Sequence, residues 1–151
     1  MLKSDNSLLF KLATPDDLPL VKVLLAENKL PLGGIEDQFE TFILAFTDSK
    51  KLIGCAGLEK YDHYGLIRSV VVQTAFQHKS LGSKLVEQIE NLAKKHAISK
   101  LYLLTETAID FFYKNGYEVI TRDDVPKQIQ ESYEYSIACA VSAVVMKKDF
   151  A

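Results

Sequence analysis

The 151-residue sequence is 48% apolar and 10% aromatic, and its 18 basic against 20 acidic residues give a formal charge of -2. A chain of this length buries about 70% of its unfolded surface in one core. It therefore needs no metal or disulfide staple, and it is too short for a two-domain enzyme. Near-balanced charge argues against a nucleic-acid module, which carries a basic face, yet it leaves room for a local anion site made of backbone N–H groups.

Cys55 and Cys139 lie far apart in apolar runs, with no C-x-x-C arrangement, and read as buried free thiols. His63, His78 and His96 are scattered without zinc-site spacing, so no metal is expected. The first thirteen residues are interrupted by polar side chains, and the longest apolar stretch, Ile137 to Met146, falls far short of a membrane span. A soluble, cytoplasmic protein with no membrane partner is the expectation.

In chain order, Leu8, Phe10 and Leu12 form the more apolar face of a first strand. Thr14 or Asp16 caps a helix that admits Pro19 in its first turn and buries Leu18, Val21 and Leu25. Asn28 to Gly34 breaks that helix, and Thr41 to Phe46 and Leu52 to Glu59 make a hairpin around Asp48 to Lys50. Gly54 and Gly57 mark a bulge or a close backbone approach in its second strand. Leu66 to Val72 is a β-branched strand interrupted by Arg68, which either snorkels outward or serves as a pocket guanidinium facing a carboxylate.

From Leu81 the period becomes helical, with Leu81, Leu85, Gln88 and Leu92 in one stripe and Lys94 and Lys95 at the C-terminal end. Leu101 to Leu104 is a short strand. Thr107 to Asp110 has capping-box spacing for a short helix ended by Gly116. Tyr117 to Thr121 is a strand, Pro126 opens a short helix, and Cys139 to Met146 closes the chain as a strand whose apolar sequence is a candidate homodimer contact. The order describes a single α/β domain over residues 1–151, a mixed sheet with helices on both faces.

The strand-turn-helix run from Leu66 to Val86 is the most informative feature. Between Gln77 and Ser83, unpaired helix N–H groups, the small residues Ser80, Gly82 and Ser83, and the mobile charge of Lys79 suit phosphate oxygens; an ordinary polar loop with a helix cap is the plainer alternative. Gln77-His78-Lys79-Ser80-Leu81-Gly82 resembles the pyrophosphate-binding pattern of the Gcn5-related N-acetyltransferase (GNAT) family, with Ser80 in place of the usual glycine. The likeness extends through LIGCAGLE, LIRSVVV, LYLLTETA and FFYKNGY. It implies the acyl-CoA N-acyltransferase fold, acetyl-coenzyme A as co-substrate, and backbone contacts from Val70, Val71 and Val72 to the pantetheine arm.

The same ordered segments resemble the small-molecule N-acetyltransferases linked to arsenic resistance, whose members acetylate amino-acid-like compounds such as arsinothricin. That resemblance implies a substrate with an amine and a carboxylate, the latter held by Arg68. It implies direct attack of a neutral amine on the thioester, with Glu59 receiving the proton or orienting the amine, although an exposed turn carboxylate is an equally simple reading of Glu59. The tyrosine that protonates the departing thiolate in the Tyr-x-x-x-Gly-Phe pattern is replaced by Phe112. Its neighbour Tyr113 is a candidate acid turned by about 100° on a helix. Thr105 and Glu106 are candidate substrate contacts at a strand end. A non-catalytic acetyl-coenzyme A sensor and an acetyltransferase acting on protein or peptide amines are the alternatives.

Overall fold

The computed structural model describes residues 8–138 and 142–150. Strands β1 (Leu9–Leu12), β2 (Phe42–Phe46), β3 (Leu52–Tyr61), β4 (Tyr64–Val72), β5 (Lys100–Thr105), β6 (Glu118–Ile120) and β7 (Val144–Asp149) form one sheet in the order β1-β2-β3-β4-β5-β7-β6. Four α-helices accompany them among the described residues: α1 (Leu18–Glu27), α2 (Leu81–Lys95), α3 (Ile109–Lys114) and α4 (Lys127–Gln130). Neighbouring strands are antiparallel except β4 and β5, which run parallel.

Each face of the sheet has its own apolar layer, as the continuous hydrophobic runs of β2 to β4 require. Along β2, Ile43 and Ala45 pack with Leu85, Ile89 and Leu92 of α2, while Phe42 and Leu44 pack with Val21 and Leu25 of α1. Leu66, Tyr102, Ile129 and Val145 form a third cluster under α4. Of the expected α2 stripe Leu81, Leu85 and Leu92 are buried and Gln88 is half-buried, and Val86, Ile89 and Ala93 complete the buried face. On α1 the buried residues are Val21, Leu24 and Leu25.

Local chemistry sets the element ends. Pro15 to Asp17 make a 3-10 turn into α1, and the Asp17 carboxylate accepts the Thr14 N–H at 2.8 Å, so Thr14 rather than Asp16 begins the helical run. Gly57 is small because the Phe42 ring occupies the place of a Cβ, which would sit 2.5 Å from a ring carbon. The thiol of Cys55 is buried as expected; Cys139 lies outside the described residues.

Three expectations need correction. Leu12 is exposed, because β1 lies at the sheet edge and only Leu8 and Phe10 reach the core. Ala108, not Thr107, precedes α3, and its N–H is taken by the Thr105 hydroxyl at 3.0 Å. The last strand begins at Val144 and continues through Lys147, Lys148 and Asp149, while Glu134–Ala138 form a π-helical turn. Within the sheet β7 lies between β5, which pairs with its whole length, and β6, which pairs with Val145 to Lys147. No helix among the described residues is long and apolar enough to cross a membrane.

Replacing Gly57 with alanine forces the Phe42 ring out of its packed position. Urea denaturation of Gly57→Ala is expected to show a loss of about 1–3 kcal/mol relative to the unaltered protein, the usual cost of overpacking a dense core.

Candidate active site

Strands β4 and β5 pair at their beginnings only. Tyr64, Gly65 and Leu66 meet Lys100, Leu101 and Tyr102, after which the strands diverge around a cleft of about 1030 Å³. Its walls carry Val70, Val71 and Val72 on one side and Leu103 to Ala108 on the other. The β4 edge facing this gap keeps backbone N–H and C=O groups that form no β5 ladder, and such groups need a partner.

A bulge in β4 shapes the floor of the cleft. Cys55 pairs with Val71 whereas Gly57 pairs with Arg68, so two steps along β3 oppose three along β4. Ser69 absorbs the extra residue with a left-handed φ of 59°. Its carbonyl accepts the Cys55 Sγ–H at 3.3 Å, and its hydroxyl accepts the Arg68 Nε–H at 3.1 Å. The bulge therefore redirects Arg68 and is held by both neighbours.

Arg68 is 2% exposed and forms part of the cleft wall, which overturns the snorkelling reading. Its Nη1 donates to Glu59 Oε2 at 3.0 Å, its Nη2 donates to the Pro31 carbonyl at 3.3 Å, and Nη2 lies 3.8 Å from Glu134 Oε1. Glu59 is 4% exposed within β3, not a turn carboxylate. Its second oxygen accepts the Tyr61 hydroxyl at 2.6 Å. Burial and that bond to a carboxylate push the Tyr61 phenol upward. Glu59 is not part of the cleft wall and communicates with it through Arg68.

The phosphate-suited turn has the backbone expected of a glycine at Ser80, where φ is 60°. Ser80 immediately precedes α2, whose first N–H groups at Leu81, Gly82 and Ser83 have no partner within the helix. Gln77 donates its side-chain amide to the Val72 carbonyl at 3.0 Å, tying the turn to β4. Gln77, Ser80, Gly82 and Ser83 line the cleft, whereas Leu81 is buried in the core. A Cβ on Gly82 would come within 3.2 Å of the Phe111 ring. The side chains of His78 and Lys79 lie outside the described residues.

At the β5 end, Thr105 and Glu106 both line the cleft; Glu106 Oε1 accepts the Ser142 hydroxyl at 2.9 Å. Phe112 reaches the wall and packs edge-on against Phe111 and Tyr117. Tyr113 is 70% exposed and absent from the wall. The structure thus corrects its candidate role as acid: one step along α3 turns its hydroxyl away from the cleft.

Three contributors escaped the sequence reading: the Ser69 bulge, the Pro31 carbonyl and Glu134. The break at Asn28 to Gly34 signalled a loop but not its destination. Glu134, in a Tyr-Glu-Tyr run, had no spacing that singled it out. Among the described residues, no group of three or more His, Cys, Asp or Glu side chains is placed to hold a metal.

Residues 9–117 match the model of the Acetyltransferase (GNAT) family. The amino-acid acetyltransferase of Mannheimia succiniciproducens is 28% identical over 142 residues, covering 89% of this chain and 32% of that protein. The chain thus spans about a third of the length of the first curated relatives it matches. The fold superposes on N-acetylglutamate synthase from Neisseria gonorrhoeae, complexed with coenzyme A and N-acetylglutamate, with a TM-score of 0.81 at 21% identity, covering 95% of this chain and 35% of that one. It also superposes on a GNAT-family acetyltransferase from Staphylococcus aureus with a TM-score of 0.77 at 16% identity, covering 95% and 99% of the two chains.

Two measurements test this geometry. Burial raises the Cys55 thiol to about 12 against the opposing pull of Arg68. Folded Cys139→Ala protein is therefore expected to resist alkylation at mildly alkaline pH, far below that value, and to release one reactive thiol on denaturation. At Ser80, the left-handed backbone costs a non-glycine residue about 1–2 kcal/mol. Calorimetry with coenzyme A should find Ser80→Gly binding at least as tightly as the unaltered protein, and Ser80→Val, β-branched at positive φ, binding at least tenfold more weakly.

Proposed function

The chain belongs to the Acetyltransferase (GNAT) family, and from that membership we propose that it transfers an acetyl group from acetyl-coenzyme A to the primary amine of a small, carboxylate-bearing, amino-acid-like substrate. The observation that carries this reading is the β4–β5 cleft, which runs from the Ser80 turn along the open edge of Val70 to Val72 and reaches the Arg68 guanidinium.

The residues fit the co-substrate. Leu81, Gly82 and Ser83 would give backbone N–H groups to the pyrophosphate, and the unpaired β4 edge would bond the amide-rich pantetheine arm. Acetyl-coenzyme A, when bound, supplies an activated acetyl thioester. Everything else falls to the protein. The bulge at Ser69 exposes β4 backbone beside Arg68, where an N–H can stabilise negative charge developing on a carbonyl oxygen.

Arg68 has five N–H donors, of which three are used on Glu59, Ser69 and Pro31. The remaining N–H groups are the proposed carboxylate contact. Glu59 acts as a positioning residue, because it fixes the guanidinium while standing off the wall. With Phe112 at the wall and Tyr113 outside it, the departing sulfur takes its proton from water or from the attacking amine. The arsenic-linked subgroup is a narrower form of this reading, supported by the sequence segments that resemble it.

A chemically silent acetyl-coenzyme A sensor is the second reading, favoured by the hydroxyl-free Phe112. Purified protein given acetyl-coenzyme A and a panel of amines, with free thiol and acetylated product followed together, decides between them. Turnover of carboxylate-bearing amines is expected; saturable cofactor binding without turnover identifies the sensor.

Arg68→Ala would strand the buried Glu59 carboxylate, so Arg68→Lys, which keeps the charge, is the cleaner probe. It should reduce kcat/KM for carboxylate-bearing amines by about 10- to 100-fold, the worth of a lost charged hydrogen bond. Carboxylate-free amines should be nearly unaffected, and equal losses in both classes would refute the proposed contact.

A further inference from the structure

We propose, resting on the acetyl-transfer reading above, that Glu134 is the catalytic carboxylate: it binds the acceptor's ammonium group and removes its proton, while Arg68 holds the carboxylate of the same molecule. Three acidic side chains lie close enough to consider. Glu59 is off the wall and already serves Arg68 and Tyr61. Glu106 is exposed at the rim, with one oxygen on the Ser142 hydroxyl. Glu134 alone combines a place on the wall with 7% exposure and proximity to the guanidinium.

The separation between Glu134 Oε1 and Arg68 Nη2 is 3.8 Å, which is attractive but too long for a hydrogen bond. Glu59 at 3.0 Å is the nearer carboxylate to the guanidinium, and Glu134 is the more distant one. The wall carries charges of both signs, Lys29 and Arg68 together with Glu106 and Glu134. A zwitterion likewise carries a charge of each sign, so its two ends can address Arg68 and Glu134 together.

The surrounding turn gives Glu134 a defined direction. Ser132 Oγ donates to the Ile129 carbonyl at 2.6 Å and accepts the Tyr135 N–H at 3.2 Å, and Ser136 Oγ donates to the Ser132 carbonyl at 2.6 Å. The ring of Tyr133 fills the place that a Cβ on Gly33 would need, docking the turn on the loop that offers the Pro31 carbonyl to Arg68. Glu134 and Arg68 are thus braced by the same loop.

The proton balance is complete. Glu134 takes one proton from the ammonium, and the freed lone pair forms the C–N bond as the acetyl C–S bond breaks. The departing electron pair goes to sulfur, the second nitrogen proton passes to it to give free thiol, and Glu134 returns its proton to water.

The test compares the best α-amino acid in the panel with its aminooxy analogue, whose nitrogen is neutral at the assay pH and needs no proton removed before attack. Glu134→Gln should lower kcat for the amino acid by at least 100-fold, the lower range of general-base effects, and change the aminooxy acid by less than fivefold. Glu134→Asp should recover part of the loss. Unchanged thermal melting of both variants establishes that they fold. Equal losses on the two acceptors, or no loss on either, overturns the role of Glu134 alone. No turnover of either acceptor by the unaltered protein overturns the acetyl-transfer reading together with this inference.

Discussion

The incomplete ladder between β4 and β5 is the constraint from which the cleft follows. Three residue pairs join the strands, Tyr64 to Leu66 with Lys100 to Tyr102, and then the ladder stops although both strands continue. A sheet interior does not normally leave such edges open, since unpaired backbone groups are costly away from water. Two features keep this one from closing. The Ser69 bulge breaks the regular spacing of β4, and α2 and α3 place Gly82, Phe111 and Phe112 across the far end. The gap persists because packing on both faces fixes the strands on either side of it.

Arg68 draws its importance from the same geometry. In a regular strand its side chain would have met an apolar layer, where an unpaired cation costs several kcal/mol. The bulge instead brings it to Glu59 at 3.0 Å and to the edge of Glu134 at 3.8 Å. Glu59 makes the burial tolerable, and the Tyr61 hydroxyl occupies its other oxygen. The guanidinium's remaining N–H groups are those that the proposed carboxylate contact would use.

Most of the fold was legible because its signals are local. The switch from β-branched residues in Leu66 to Val72 to the 3.6-residue stripe of Leu81, Leu85 and Leu92 marked a strand, a turn and a helix, all of which form. Ser80 was legible through its neighbours: the turn demands left-handed backbone, and a small polar residue adopts it. The bulge was half visible. Gly54 and Gly57 marked irregularity on β3, which does carry an extra residue against β2 between Leu52 and Gly54, but the extra residue of the cleft bulge stands on β4, where nothing about Ser69 announces positive φ. Glu134 was invisible because its role arises from contacts with residues 66 positions earlier in the chain and with the loop ending at Gly34, neither of which has local periodicity. The last strand was placed too early for the opposite reason: the apolar run from Ile137 was conspicuous, whereas β7 pairs through Lys147 and Lys148, whose charges are met by Asp149 and Glu90.

The exchange of a wall tyrosine for Phe112 and the placement of Glu134 bear on each other. A phenol at that position would have to lose its proton to the departing sulfur and then recover it. Phe112 cannot do so, and it packs instead with Phe111 and Tyr117 in the apolar core. An ammonium substrate carries two protons that must leave the nitrogen before the amide is complete. If one is taken by Glu134 before attack, the other becomes strongly acidic once the nitrogen bonds to the acetyl carbon, and the sulfur leaving beside it is its natural acceptor. On that proposal Glu134 and the departing sulfur together have enough acid-base capacity for the whole transfer without a phenol. The demand of such a scheme falls on substrate placement, because the amine would have to lie between Glu134 and the thioester while Arg68 held the other end.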